Sequence, residues 1–142
     1  MLRRNLPPSR KKAIKRVMLS RRYKATGPSP DVVELVLERS QYSCELRGCM
    51  VGDRRGVDWS IHHRLPRRMG GTKRPEVNQP PALIVVCGSG TTGCHGWLEA
   101  RRAEAYDLGL LLHAGDDPAE VPVGLAVGLV YLTTEGTYRH VE

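Results

Sequence analysis

The residues with chemical reach in this chain are its cysteines and histidines, and they are grouped. Cys44 and Cys49 are spaced C-x4-C, Cys87 and Cys94 C-x6-C, and each pair encloses glycine, in "CELRGC" and "CGSGTTGC". Four cysteines can be disulfides, free core thiols or metal ligands. Two separate pairs in small-residue loops match the two knuckles of a tetrahedral four-cysteine zinc site, where glycine lets the chain turn about the ion. Disulfides fit less well, because no apolar stretch follows the charged start "MLRRNLPPSRKK" to make a secretory signal. The histidines adjoin these pairs: His62 and His63 head the run "IHHRLPRRMGG", and His95 follows Cys94 directly. An imidazole, with an ordinary pKa of about 6.5, can ligate a divalent ion or take a proton at neutral pH. His113 and His140 stand apart and read as ordinary surface or hydrogen-bonded histidines.

Several elements must bring these groups together. The turn signal "TGPSP" precedes a helix capped by Ser29 or Asp31, with Val32, Leu35 and Val36 at helical spacing and Arg39 near its end. Strands are expected over "VDWSIH" (57–62) and "ALIVV" (82–86), a helix over "CHGWLEARRAEAYDLG" ending at Gly109, and a hairpin over "GLVYLTTEGTYRHV". Four cysteines on one ion would carry His95 to the side of the strand bearing His62, giving a strand, strand and helix around one pocket. Neighbouring strand residues point to opposite faces, so His62 and His63 share that pocket only if the strand ends or distorts there. Pro66 makes an ending plausible. The helix start at His95 adds free backbone N–H groups, a seat for phosphate.

Charge supplies the global clue. Residues 1–24 hold ten Lys/Arg and no acid, and Arg10 to Arg22 can form a thin basic helix with Ala13, Ile14, Val17 and Met18 on one side. Residues 99–142 hold three basic against eight acidic side chains. A front end this free of acids favours nucleic acid through phosphate neutralisation, over a solubilising tail or acidic lipid. No apolar stretch approaches the roughly 18 residues of a membrane helix, and Pro7 and Pro8 interrupt the helix of a mitochondrial presequence, so the expectation is a soluble cytoplasmic chain without membrane contact.

Both cysteine pairs, the adjacent histidines and the terminal Cys-His together resemble the HNH (ββα-metal) nuclease family in its zinc-stapled bacterial and phage form, over about residues 35–110. "CGSGTTGCHGW" is similar to the phage branch that accompanies the DNA-packaging terminase. The resemblance implies an α+β fold with a small ββα-metal core. Its domains would be a basic N-terminal arm (1–27), a nuclease domain (28–113) and an acidic C-terminal tail with hairpin (114–142). It implies a metal-dependent DNA endonuclease leaving 5′-phosphate and 3′-hydroxyl ends, with structural Zn2+ on Cys44, Cys49, Cys87 and Cys94. A catalytic Mg2+, Mn2+, Ni2+ or Zn2+ would sit on His62 and His95, with His63 as general base. Glu99, one turn after His95, would be a third ligand or a solvated carboxylate. Arg64, Arg67, Arg68, Lys73 and Arg74 would grip the backbone near the cut, and Lys11, Lys12, Lys15 and Arg16 would add phosphate contacts from the arm. Terminase subunits would be partners, with the tail as docking surface, in the bacterial host cytoplasm. The family's loop-bracing asparagine aligns with Ala82 in "PALIVVC", and Asn78 could take that job from a shifted position. Ala82 also opens the alternative of a non-catalytic zinc module that binds nucleic acid.

Overall fold

The computed structural model describes residues 26–67 and 74–142. The expected basic helix, with Lys11, Lys12, Lys15 and Arg16, and the loop residues Arg68 and Lys73 lie outside the described residues.

Helix α1 (Pro30–Arg39) starts where Ser29 Oγ accepts the Val32 amide, at 3.3 Å, with Pro30 in the first turn. Its buried face is Val33, Val36 and Leu37, whereas Leu35 is exposed. Both this stripe and the expected Val32, Leu35, Val36 recur at i, i+3, i+4, so the periodicity held two overlapping solutions. Packing selects the one that meets Trp59, Ile61, Leu83 and Val85.

Those four residues belong to the two-stranded antiparallel sheet of β1 (Trp59–His63) and β2 (Leu83–Cys87), with Trp59 opposite Cys87 and His63 opposite Leu83. Alternation sends Trp59, Ile61, Leu83 and Val85 toward α1, and Ile84 and Val86 into a second cluster with Cys44, Cys94 and Leu98. Covered on both faces, β2 is apolar along its length instead of alternating. Strand β1 runs through both histidines, with His62 opposite Ile84 and His63, its last residue, opposite Leu83.

The single helix expected after Cys94 is instead two, α2 (Gly93–Ala100) and α3 (Arg102–Asp107), broken at Arg101 with φ −123° and ψ 56°. The break turns the chain so that Ala105 and Leu110 enter the second cluster. Gly109, at φ 71°, ends α3, and a Cβ there would stand 2.2 Å from the Pro122 carbonyl oxygen.

A three-stranded meander follows, β3 (Val123–Leu125), β4 (Gly128–Leu132) and β5 (Tyr138–His140). The expected hairpin is β4–β5, and β3 adds to its other edge. Val123, Leu125, Val130 and Leu132 join the cluster of Cys44, Ile84 and Cys94, so residues after 114 complete the main core. The chain is α+β with two small sheets. No helix among the described residues is long and apolar enough to cross a membrane.

Candidate metal centre

The four cysteine sulfurs lie within 4.8 Å of one another. A tetrahedral ion with metal–sulfur bonds of about 2.3 Å sets its sulfurs roughly 3.8 Å apart, so the set fits such an ion. The first knuckle is closed by Cys44 N–H to the Cys49 carbonyl and Gly48 N–H to the Cys44 carbonyl, both 2.7 Å, with Gly48 at φ 74°. Glu45 N–H donates to the Val85 carbonyl at 2.8 Å and ties this knuckle to β2. The second runs from the end of β2 to the start of α2. There Gly88 and Gly93 take φ 83° and 59°, and a Cβ on Gly88 would fall 2.1 Å from the Thr92 carbonyl oxygen. Burial pushes the Cys49 thiol up to about 11 and raises Cys94 further. Burial also acts upward on Cys87, but the Cys94 N–H at 3.4 Å and the neighbouring thiols outweigh it and hold Cys87 below its ordinary value. Four sulfurs gathered this closely are an arrangement a divalent cation can hold by displacing thiol protons.

A second set, His62, His95 and Glu99, also offers one ligand atom each within 4.8 Å. Its hydrogen bonds fix which nitrogens are bare. His62 Nε2 lies 2.8 Å from the Leu110 carbonyl, an acceptor only, so Nε2 carries the proton and Nδ1 has the lone pair. Ser60 gives its hydroxyl proton to the Gly88 carbonyl at 3.1 Å and therefore accepts from His95 Nδ1 at 2.6 Å, leaving His95 Nε2 bare. That nitrogen is 3.8 Å from Glu99 Oε1, and Glu99 Oε2 also accepts from Arg102 at 3.2 Å. The rings stand edge-on with centroids 5.6 Å apart. Ligating imidazoles characteristically donate their other N–H to a carbonyl or similar acceptor, as both do here. The donor set fits a divalent ion with open positions. Burial is the main cause of lowered pKa in both, taking His62 down to about 4 and His95 below its usual value, so both are neutral near pH 7.

His63 is half-buried beside this set. Its Nε2 lies 3.0 Å from Asn78 Oδ1, and Asn78 Nδ2 donates to the Thr26 carbonyl at 3.0 Å, which fixes the amide's orientation. His63 Nε2 is thus protonated and Nδ1 bare. Burial lowers its pKa against the Asn78 bond, and the charges of Arg67, Arg55 and His95 lower it further. The Asn78 side chain is brought here by a 3-10 turn, Pro75–Asn78, ahead of a second, Pro80–Ala82. Ala82 itself is fully buried among Leu65, Val77 and Leu112.

One expectation is overturned. Arg64, read as a backbone grip on nucleic acid, is completely buried. Its guanidinium donates to the carbonyls of Gly109, Pro81, Pro118 and Val121 at 2.8–2.9 Å. Residue 64 follows the end of β1, and its side chain turns inward to satisfy the carbonyls of the segment that closes over the sheet. Arg67 is exposed, and its Nη2 donates to the Thr26 carbonyl and hydroxyl. Arg74 donates to the Ala114 carbonyl and lies 3.7 Å from Glu76.

Two residues at the site escaped the sequence reading. Ser60 orients His95, and its position two residues before His62 on one strand face was the available signal. Arg55, exposed with its guanidinium 5.8 Å from the Trp59 ring centroid, adds positive charge near His63; the pair Arg54–Arg55 just before the strand was the clue. Of the two histidines set aside, His113 stacks on Tyr106 at 4.7 Å and His140 is exposed on β5. Scans against protein-family models, curated proteins and solved structures each found no match.

Proposed function

We propose that this protein is a metal-dependent endonuclease of the HNH (ββα-metal) type that hydrolyses DNA phosphodiester bonds, with structural zinc on Cys44, Cys49, Cys87 and Cys94. The observation that carries the reading is the arrangement of bare nitrogens. His62 Nδ1 and His95 Nε2 are left free in a group with Glu99, while His63, braced by Asn78, keeps Nδ1 unprotonated beside them. The pairing of β1 with β2 and the packing of α2 on it support the ββα description.

The residues divide the work. His63 Nδ1 accepts a proton from water as the water oxygen attacks phosphorus. Asn78 Oδ1 holds the opposite N–H and stabilises the imidazolium as it forms. The bond to the 3′ oxygen breaks, and that oxygen takes a proton from solvent, leaving 5′-phosphate and 3′-hydroxyl ends. Arg67 and Arg55 supply positive charge for the phosphates on either side of the reacting one. A divalent ion on His62, His95 and Glu99 would contribute positive charge where it develops on phosphorus and the leaving oxygen. The same reading carries with it a phage terminase as partner and the bacterial host cytoplasm as compartment, supported by the motif "CGSGTTGCHGW".

Plasmid cleavage with Mg2+, Mn2+ or Ni2+ tests it. Wild type is expected to nick or cut, and His63→Ala, at equal zinc content and melting temperature, to lose about 100- to 10,000-fold in rate. Binding of plasmid by both proteins with cleavage by neither would instead mark a non-catalytic zinc module.

A further inference from the structure

Thr26, ahead of α1, is tied to the side chains around His63. Asn78 Nδ2 and Arg67 Nη2 both donate to the Thr26 carbonyl, at 3.0 and 2.9 Å, and Arg67 Nη2 also reaches Thr26 Oγ1 at 3.0 Å. An amide has two different ends. While Nδ2 meets the Thr26 carbonyl, Oδ1 must meet His63 Nε2, and the ring proton sits there. Without that carbonyl the amide is free to turn over and offer an N–H to Nε2, and the ring then carries its proton on Nδ1. The flip would protonate the one nitrogen that must be bare to act as a base.

We propose that Thr26 is a positioning residue for His63: its backbone carbonyl, acting through Asn78, keeps the imidazole protonated on Nε2 and bare on Nδ1. Its hydroxyl and carbonyl also hold Arg67 at the same site. The proposal rests on the reading of His63 as the base. It makes the residues just before α1 part of the site through one peptide group.

Deleting Gly27 from the full chain is the direct test, because it pulls the Thr26 carbonyl back by one residue without removing a buried side chain; the space around Gly27 is open. At unchanged metal content and melting temperature, kcat for a small phosphodiester, bis-p-nitrophenyl phosphate, is expected to fall about 10- to 100-fold with KM held. Proton–nitrogen correlation spectra of the histidine rings are expected to show His63 losing its Nε2–H form while His62 keeps its Nε2–H and His95 its Nδ1–H. Adding Asn78→Asp to the deletion supplies an acceptor that has no N–H to turn toward the ring, and it restores the Nε2–H form and most of kcat. Thr26→Val, which keeps the carbonyl and loses the hydroxyl to Arg67, keeps the Nε2–H form of His63 and raises KM for DNA about two- to tenfold. A deletion variant that retains both kcat and the Nε2–H form overturns the proposal. If wild type hydrolyses neither the diester nor DNA, the nuclease reading fails separately, and the ring spectra alone decide the proposal: a switched tautomer sustains it and an unswitched one overturns it.

Discussion

Arg64 illustrates how a residue's role is set by what closes over it. In a run of arginines after two histidines, it looks like one more phosphate contact, yet it is fully buried and donates to four backbone carbonyls. Burial, with the charge of Arg39 adding, pushes its pKa down to about 10, so it stays charged at neutral pH. Replacing it with methionine would keep much of the volume but strand those carbonyls. Arg64→Met is therefore expected to lose about 3–5 kcal/mol of unfolding free energy in a urea titration, in the range for removing one side of a buried charged network. Arg64→Lys would recover little, since an ammonium cannot span four carbonyls that a planar fork spans. A variant with wild-type stability and weakened DNA binding would return Arg64 to the surface role. That role was illegible beforehand because the partners lie 17 to 57 residues downstream. The cysteines and histidines were legible as a cluster because their chemistry requires close company, whichever elements provide it.

Among the elements, the turn between β2 and α2 has the least freedom. It must reverse the chain within seven residues and bring Cys87 and Cys94 to one point, and it does so by placing Gly88 and Gly93 in the left-handed region. A Cβ on Gly88 meets a backbone oxygen at 2.1 Å, which no side-chain rotation relieves. Gly88→Ala is expected to cost more than the roughly 1–2 kcal/mol of left-handed strain alone, and to lower the bound metal per chain. Gly90→Ala, in open space two residues on, is the control and is expected to change neither. Metal content and urea midpoints of the two variants check this, and equal values for both would mean that the turn tolerates distortion. The glycines of this loop announced a turn in the sequence. The break at Arg101 did not, because "LEARRAEA" has strong helix propensity throughout and yields only to the packing of Ala105 and Leu110. The two strands were found to within a residue or two, and β3 was missed because three residues give too little pattern.

At the scale of the molecule, the cysteine cluster is rooted in the largest hydrophobic core of the described residues through Cys44 and Cys94, with Cys49 exposed at its outer side. Cys44 and Cys94 share a cluster with Ile84 and Val86 of β2, Leu98 of α2, and Val123, Val130 and Leu132 of the C-terminal sheet. Beside it the buried pair of Arg39 and Glu45, 2.8 Å apart, receives the Tyr138 hydroxyl at 2.7 Å and so links α1, the first knuckle and β5. An ion on the four sulfurs would then join the two knuckles to a core that both sheets share. The free energy of binding it is folding free energy for the whole chain, because the sulfur geometry exists only when the core does. With the ion removed, the sulfurs regain protons beside a core that disfavours polar groups, and Cys49 and Cys94 already stand above the ordinary thiol range. Strong chelation under reducing conditions is therefore expected to lower the melting temperature and to lose sheet and helix signals together, in one cooperative transition. Helical and sheet circular dichroism followed with tryptophan fluorescence of a Trp97→Phe variant would check this, since Trp97 packs on the cysteine cluster and the remaining Trp59 lies in the other cluster, against α1. A fluorescence transition unmoved by chelation would show that the α1 side of the sheet is stable without the ion. The metal would then be a local staple for the two knuckles and the core beside them.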